Sequence, residues 1–168
     1  MIKRLAIAAL ITTLGSQLSA CNATQQPAPH PKGYETYINP GDTFKHTQLT
    51  NIDGQPVMLT QGKKLVILFA TWCSDSQRTL NELKASALLT DPTLQVIAIG
   101  REEDADTLKA FRASFGIDFQ LVADPNRAIY QHYANKGIPR LIMLDEHNRV
   151  VNTLIGEQPG VIDQVRWQ

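Results

Sequence analysis

Residues 64–70 (Lys-Leu-Val-Ile-Leu-Phe-Ala) form a continuous apolar run headed by lysines, the pattern of a central strand covered on both faces. From residue 74 to about 89 the apolar positions Leu80, Leu83, Ala87 and Leu88 recur close to a helical period, with Asp75 in the first turn, and predict a helix. Residues 94–99 are strand-like again and end at Gly100. Residues 104–115 predict a second helix, with Asp104 as its cap, Leu108, Phe111 and Phe115 on one face, and Gly116 as its stop. A short strand at 119–122, a helix at 125–133, and strands at 140–144 and 150–154 follow. The connection Asp145-Glu146-His147-Asn148 is tight enough to require an antiparallel hairpin. Upstream, Gly41-Asp42-Thr43-Phe44, Leu49 and Val57-Met58-Leu59 suggest two short strands joined at Asp53-Gly54-Gln55. Residues 161–167 predict a short amphipathic helix with Val161, Ile162 and Val165 inward, and Trp167 as a terminal packing residue. The alternation predicts an α/β domain whose central mixed, mostly parallel sheet ends in an antiparallel hairpin and is flanked by helices.

The N-terminal pattern is of another kind. Lys3 and Arg4 precede an apolar run from Leu5 to Leu14, which is too short to span a bilayer and suits a signal-peptide core. Leu18-Ser19-Ala20-Cys21 resembles the bacterial lipobox. That resemblance implies a signal peptide at 1–20, cleavage before Cys21, and acylation of Cys21 as a membrane anchor, with palmitate among its acyl chains. Burial of several chains at about 0.8 kcal/mol per methylene makes such an anchor durable. Asn22 beside the cysteine favours the outer membrane of an envelope with two membranes. Residues 21–36 hold a segment rich in proline and polar side chains and poor in apolar ones. They read as a lipidated flexible tether before a domain at 37–168.

In a chain of 168 residues with 16 basic and 16 acidic side chains interspersed, no concentrated basic surface is available for nucleic acid. His30, His46, His132 and His147 are scattered without metal-ligand spacing, so neither a metal nor another cofactor is expected. With Cys21 consumed by lipid, Cys73 is the remaining thiol of the two cysteines, and no internal disulfide is open to it.

Cys73 lies in Phe69-Ala70-Thr71-Trp72-Cys73-Ser74-Asp75-Ser76, where a buried strand passes into a helix. A cysteine at a helix start faces free backbone amides and the positive end of the helix dipole, which favours the thiolate that attacks disulfides. Together with Gly41-Asp42-Thr43-Phe44 upstream and Gly137-Ile138-Pro139-Arg140 before a strand downstream, this segment resembles the thioredoxin-like superfamily, in particular its TlpA/ResA-type branch of envelope proteins. The likeness extends over roughly residues 40–156. It implies a thioredoxin-like fold with Cys73 as nucleophile. It also implies a cis Pro139 that leaves the backbone of Ile138 free to pair with an extended substrate. Trp72 then has two coexisting roles, packing beneath the site and offering a flat apolar surface to a substrate.

The sequence also departs from that pattern. Ser76 stands where the superfamily has its resolving cysteine, so the implied chemistry is monothiol: a mixed disulfide resolved by an outside thiol. The Ser76 hydroxyl is placed to donate to the Cys73 sulfur, whereas the Asp75 carboxylate opposes a second negative charge. Arg140 is either a solvated side chain or a charge that approaches Cys73 or Asp75 and offsets the acidity of Asp75. Ile67 is apolar where cytoplasmic thioredoxins bury an aspartate that assists proton transfer. Ala70 stands where peroxiredoxins carry threonine, which argues against peroxidase chemistry of that type. Two functions stay open. One is an envelope thiol-disulfide exchange protein acting on protein thiols or small-molecule thiols and disulfides. The other is a redox-inactive binding or scaffold lipoprotein, or a single-thiol sensor.

Overall fold

The computed structural model describes residues 33–60 and 62–167. The expected signal peptide, Cys21 and the first part of the tether lie outside the described residues. Two short strands, β1 (Gln48–Thr50) and β2 (Pro56–Met58), pair antiparallel around the turn expected at Asp53-Gly54-Gln55. There Asn51 Oδ1 accepts from the amides of Asp53 and Gln55, at 3.0 and 2.8 Å, and Gly54 takes the left-handed conformation (φ 79°) that it adopts without penalty.

The main sheet and its helices follow as β3 (Lys63–Phe69), α1 (Ser74–Ala85), β4 (Leu94–Arg101), α2 (Ala105–Phe115), β5 (Gln120–Asp124), β6 (Arg140–Leu144) and β7 (Val150–Ile155). The strand order is β5-β4-β3-β6-β7. β3, β4 and β5 are mutually parallel, and β6 and β7 form the antiparallel hairpin, with a register irregularity between Met143 and Leu144. This is the α/β arrangement expected from the alternation of elements, and the thioredoxin-like fold that the resemblance implies.

β3 is buried on both faces, and its side chains divide the interior by parity. Leu65, Ile67 and Phe69 pack with Leu80 and Leu83 of α1 and Leu108 of α2, whereas Val66, Leu68 and Ala70 pack with Phe44, Tyr130 and Tyr133. Both helices therefore lie on one face. Each fully buried aliphatic side chain contributes about 1.5–3 kcal/mol relative to exposure, which makes this strand the least dispensable of the sheet. Lys64 is also buried: its Nζ donates to the carbonyls of Asp145 and Glu146 at 3.2 and 3.1 Å, closing the hairpin turn.

Three expectations are corrected. The helix expected to run to about residue 89 stops at Ala85. Ser86 adopts an extended conformation, its Oγ donates to the Leu83 carbonyl at 2.7 Å and accepts from the Leu88 amide, and a separate 3-10 turn, Ala87–Thr90, follows. The helix expected at 125–133 is only a 3-10 turn, Tyr130–His132. Arg127 is left-handed (φ 57°), and the Asp124 carboxylate takes the amides of Ile129 and Tyr130 at 3.0 and 2.8 Å, in place of the backbone carbonyls of a helix. The C-terminal helix is likewise a single 3-10 turn, Val161–Gln164, although Val161, Ile162 and Val165 are buried as expected. Trp167 packs at the end of the sheet, donating to the Leu144 carbonyl at 2.9 Å.

At the end of the segment read as tether, residues 33–36 are hydrogen-bonded to the domain. The Glu35 amide donates to Asn135 Oδ1 at 2.9 Å, and Thr36 bridges Ala134. Polar residues find partners here because the loop they meet offers carbonyls and an amide side chain.

Candidate active site

β3 ends at Phe69, and a turn through Ala70, Thr71 and Trp72 delivers Cys73 to the N-cap of α1. The Cys73 amide donates to the Ala70 carbonyl at 3.2 Å, and its carbonyl accepts from the Gln77 amide at 3.0 Å, the first bond of the helix. Its side chain caps nothing, so the thiol is free, half-buried and packed against the core that contains Phe44 and Tyr133. The sulfur lies 3.7 Å from the Ile138 carbonyl oxygen, to which the thiol donates. This contact joins two loops 65 residues apart.

The Ile138-Pro139 bond is cis. Gly156 lies behind the proline: its amide donates to the Pro139 carbonyl at 2.9 Å, and a Cβ there would sit 2.6 Å from Pro139 Cγ and 2.9 Å from Thr79 Oγ1. Glycine is required at that position by the closeness of the proline ring. On the other side, Gly137 (φ 85°) meets the ring of Tyr34, and a Cβ there would come within 2.3 Å of it. The N-terminal segment thus lies directly against the loop that carries Ile138.

The remaining residues expected at the site are Trp72, Ser76, Asp75 and Arg140. Trp72 is 64% exposed, so it offers its apolar surface to solvent and does not pack beneath the site. Ser76 is fully buried, and its Oγ accepts from the Ala70 amide at 3.4 Å; its bond is to that backbone group and not to the Cys73 sulfur. Asp75 pairs with Arg78, whose guanidinium also donates to the Gly156 carbonyl at 2.6 Å.

Arg140 is neither solvated nor paired with Asp75. It is 2% exposed, and its guanidinium donates to the carbonyls of Gly137, Lys136 and Glu35, at 3.2, 2.6 and 3.3 Å, and to the Thr36 hydroxyl. Burial lowers its pKa from the ordinary 12.5. The expectation that it offsets Asp75 is corrected accordingly: its guanidinium is taken up by carbonyls of the Gly137 loop and the N-terminal segment.

Beside the turn that carries Cys73, a buried ionisable group was not anticipated. Glu103, 5% exposed, accepts through Oε1 from the Thr71 amide at 2.8 Å and from the Thr71 hydroxyl. Burial raises its pKa above the ordinary 4.5, against the opposing effect of those hydrogen bonds. In the sequence it is hidden inside Glu102-Glu103-Asp104, which reads as a solvated run at a helix start. The only signal was its position one residue before a helix cap and two after a buried strand. Among the described residues, no group of three or more His, Cys, Asp or Glu side chains is gathered as a metal ion would need. No helix among them is long and apolar enough to cross a membrane.

Comparison with known proteins agrees with this geometry. The chain is similar to the thiol-disulfide oxidoreductase ResA of Bacillus thuringiensis (strain Al Hakam), with 26% identity over 116 residues; the match spans 66% of each chain. Among solved structures it is similar to a candidate protein disulfide isomerase from Bacteroides thetaiotaomicron, with a TM-score of 0.70, 21% identity, and coverage of 77% of this chain and 86% of that one. It is also similar to a secreted disulfide oxidoreductase of Mycobacterium tuberculosis homologous to E. coli DsbE, with a TM-score of 0.57, 16% identity, and coverage of 67% and 84%. At such identities the structural matches speak for the fold alone. The family itself is matched across the whole of the sheet and both helices, from residue 39 to residue 165, and the chain belongs to the Redoxin family, within the thioredoxin-like superfamily.

Proposed function

We propose that this protein is a monothiol thiol-disulfide exchange protein that works through Cys73. The observation that carries the reading is the placement of a free, half-buried thiol at the N-cap of α1, 3.7 Å from the carbonyl next to a cis proline. The similarity to oxidoreductases of the ResA type supports it. The Cys73 thiolate attacks one sulfur of a disulfide, forming a mixed disulfide and releasing the other sulfur as a thiolate. With serine at position 76, a second thiolate from outside attacks the mixed disulfide and restores Cys73. Exposed Trp72 and the backbone of Ile138 are the proposed surface for the substrate, beside Pro139. The proposal extends to location: a protein anchored through lipid on Cys21 and facing the periplasm, acting on envelope protein thiols or small-molecule thiols and disulfides.

The second reading, a binding or sensing module without turnover, is favoured by one observation. Ser76 is fully buried with its hydroxyl turned to the Ala70 amide, so it takes no part at the sulfur. Incubation of the full chain carrying Cys21→Ala with glutathione disulfide separates the two. Exchange predicts one glutathione adduct per chain, reversed by excess thiol and absent in Cys73→Ser. A chain that stays unmodified while folded identifies the second reading.

A further inference from the structure

Glu103 belongs to no motif, yet it reaches the turn that delivers Cys73. It lies between β4 and α2, directly before Asp104, whose side chain caps α2 by accepting from the Thr107 amide. Glu102 in the same turn is left-handed (φ 61°), a conformation that costs a non-glycine residue about 1–2 kcal/mol. Glu103 is the residue that this turn buries. Its Oε1 holds the amide and hydroxyl of Thr71, while the Gln77 side chain donates to the Thr71 carbonyl at 2.6 Å. Both backbone groups of Thr71 are therefore fixed by side chains, one from the β4-α2 connection and one from α1.

The other carboxylate oxygen, Oε2, is buried and has no hydrogen-bond partner. It fits because residue 100 is glycine; a Cβ there would lie 3.0 Å from Oε2 and 2.7 Å from a methyl of Leu108. An unpartnered buried polar atom costs about 1–3 kcal/mol, and its retention calls for a reason beyond packing. Ile67 in β3 is fully buried and apolar. The buried acid nearest the cysteine turn is thus supplied by the end of the neighbouring strand.

We propose that Glu103 is a positioning residue for the chemistry of Cys73: by holding Thr71 it fixes the Thr71-Trp72-Cys73 turn, and with it the direction in which the sulfur is presented beside Ile138. This rests on the reading of Cys73 as a nucleophile. Glu103 acts through Thr71 and touches neither sulfur nor substrate. Small displacements of a reacting group slow a reaction steeply, so loss of the clamp registers in rate before it registers in fold.

The test uses the full chain with Cys21→Ala, so that Cys73 is its only thiol, and follows both alkylation by iodoacetamide and exchange with glutathione disulfide. Glu103→Ala is expected to slow both by about tenfold at a temperature where it remains folded. Glu103→Gln, which keeps an acceptor oxygen for Thr71, is expected to restore both to within about threefold. Val161→Ala, buried in the turn behind α1, controls for destabilisation and should lower the melting temperature at the parental rate. Parental rates in folded Glu103→Ala overturn the proposal, as does equal slowing in Val161→Ala. Should Glu103→Ala fail to fold, Glu103→Asp, shorter by one methylene, carries the same test: slowed reaction supports the clamp and parental rates overturn it. If the parent is alkylated yet inert to glutathione disulfide, the exchange reading of Cys73 fails, and the alkylation rates still decide the role of Glu103.

Discussion

The two loops that meet at Cys73 are held by buried charges of opposite sign. The turn from β3 into α1 is fixed by a carboxylate, Glu103, which accepts from Thr71. The loop before Pro139 is fixed by a guanidinium, Arg140, which donates to the carbonyls of Gly137 and Lys136. The sign follows from which backbone groups each loop leaves unpaired. A chain entering a helix has spare amides, whereas a loop ending in proline has carbonyls in excess because the proline nitrogen carries no hydrogen. A buried charge at such a site satisfies backbone polarity first, and any electrostatic effect on the thiol comes second.

Arg140 serves more groups than Glu103, so Arg140→Met should have the largest effect. It leaves the Lys136 carbonyl without its donor and takes one donor from the carbonyls of Gly137 and Glu35, and we expect a loss of about 3 kcal/mol in urea unfolding. A loss below about 1 kcal/mol would mean that the loop holds without its guanidinium, and the comparison breaks. Gly100→Ala comes next, at about 2 kcal/mol, because the new methyl displaces Leu108 and the Glu103 carboxylate together. The same variant should slow alkylation of Cys73, which Arg140→Met tests from the other loop. Ser76→Ala should cost about 1 kcal/mol or less, since its bond to the Ala70 amide is long, and it should leave the alkylation rate unchanged.

The smallest expected effect is a difference in pH response. Burial raises Glu103 above 4.5, so the folded state binds its proton more tightly than the unfolded state. The stability contributed is present below the ordinary value and is lost as pH rises through the folded one. Glu103→Gln should flatten that fall in melting temperature. His46 has the opposite sign: burial lowers it from 6.5, so its contribution is present above pH 6.5 and lost as pH falls through its folded value. Its Nδ1 lies 2.5 Å from the Tyr133 hydroxyl, and His46→Gln should flatten the acid side alone. The Arg140 loop should show no such response, because a guanidinium keeps its charge throughout this range.

The contrast between the loops also separates what was legible in the sequence. The strands and α2 with its Asp104 and Gly116 caps were readable because each depends on neighbours within a few residues. Arg140 was singled out and given the wrong partner: its acceptors on Glu35 and Thr36 lie about a hundred positions away, in a segment that reads as tether. Glu103 escaped notice because its bond to Thr71 spans 32 residues and exists only once β3 and β4 lie side by side. The helix expected at 125–133 failed for a related reason. The Asp124 side chain takes the amides of Ile129 and Tyr130, and no local pattern shows which acceptor wins.

The attachment of residues 33–36 has a mechanical consequence. Arg140 grips Glu35 and Thr36 with the same guanidinium that grips Lys136 and Gly137. A load applied along the chain from its N-terminal side falls on the bonds from Asn135 to Gly33 and Glu35 and then on those of Arg140, and through that shared side chain on the loop before Pro139, before it reaches the sheet. The loop that carries Ile138 and the N-terminal segment therefore share that load through one side chain.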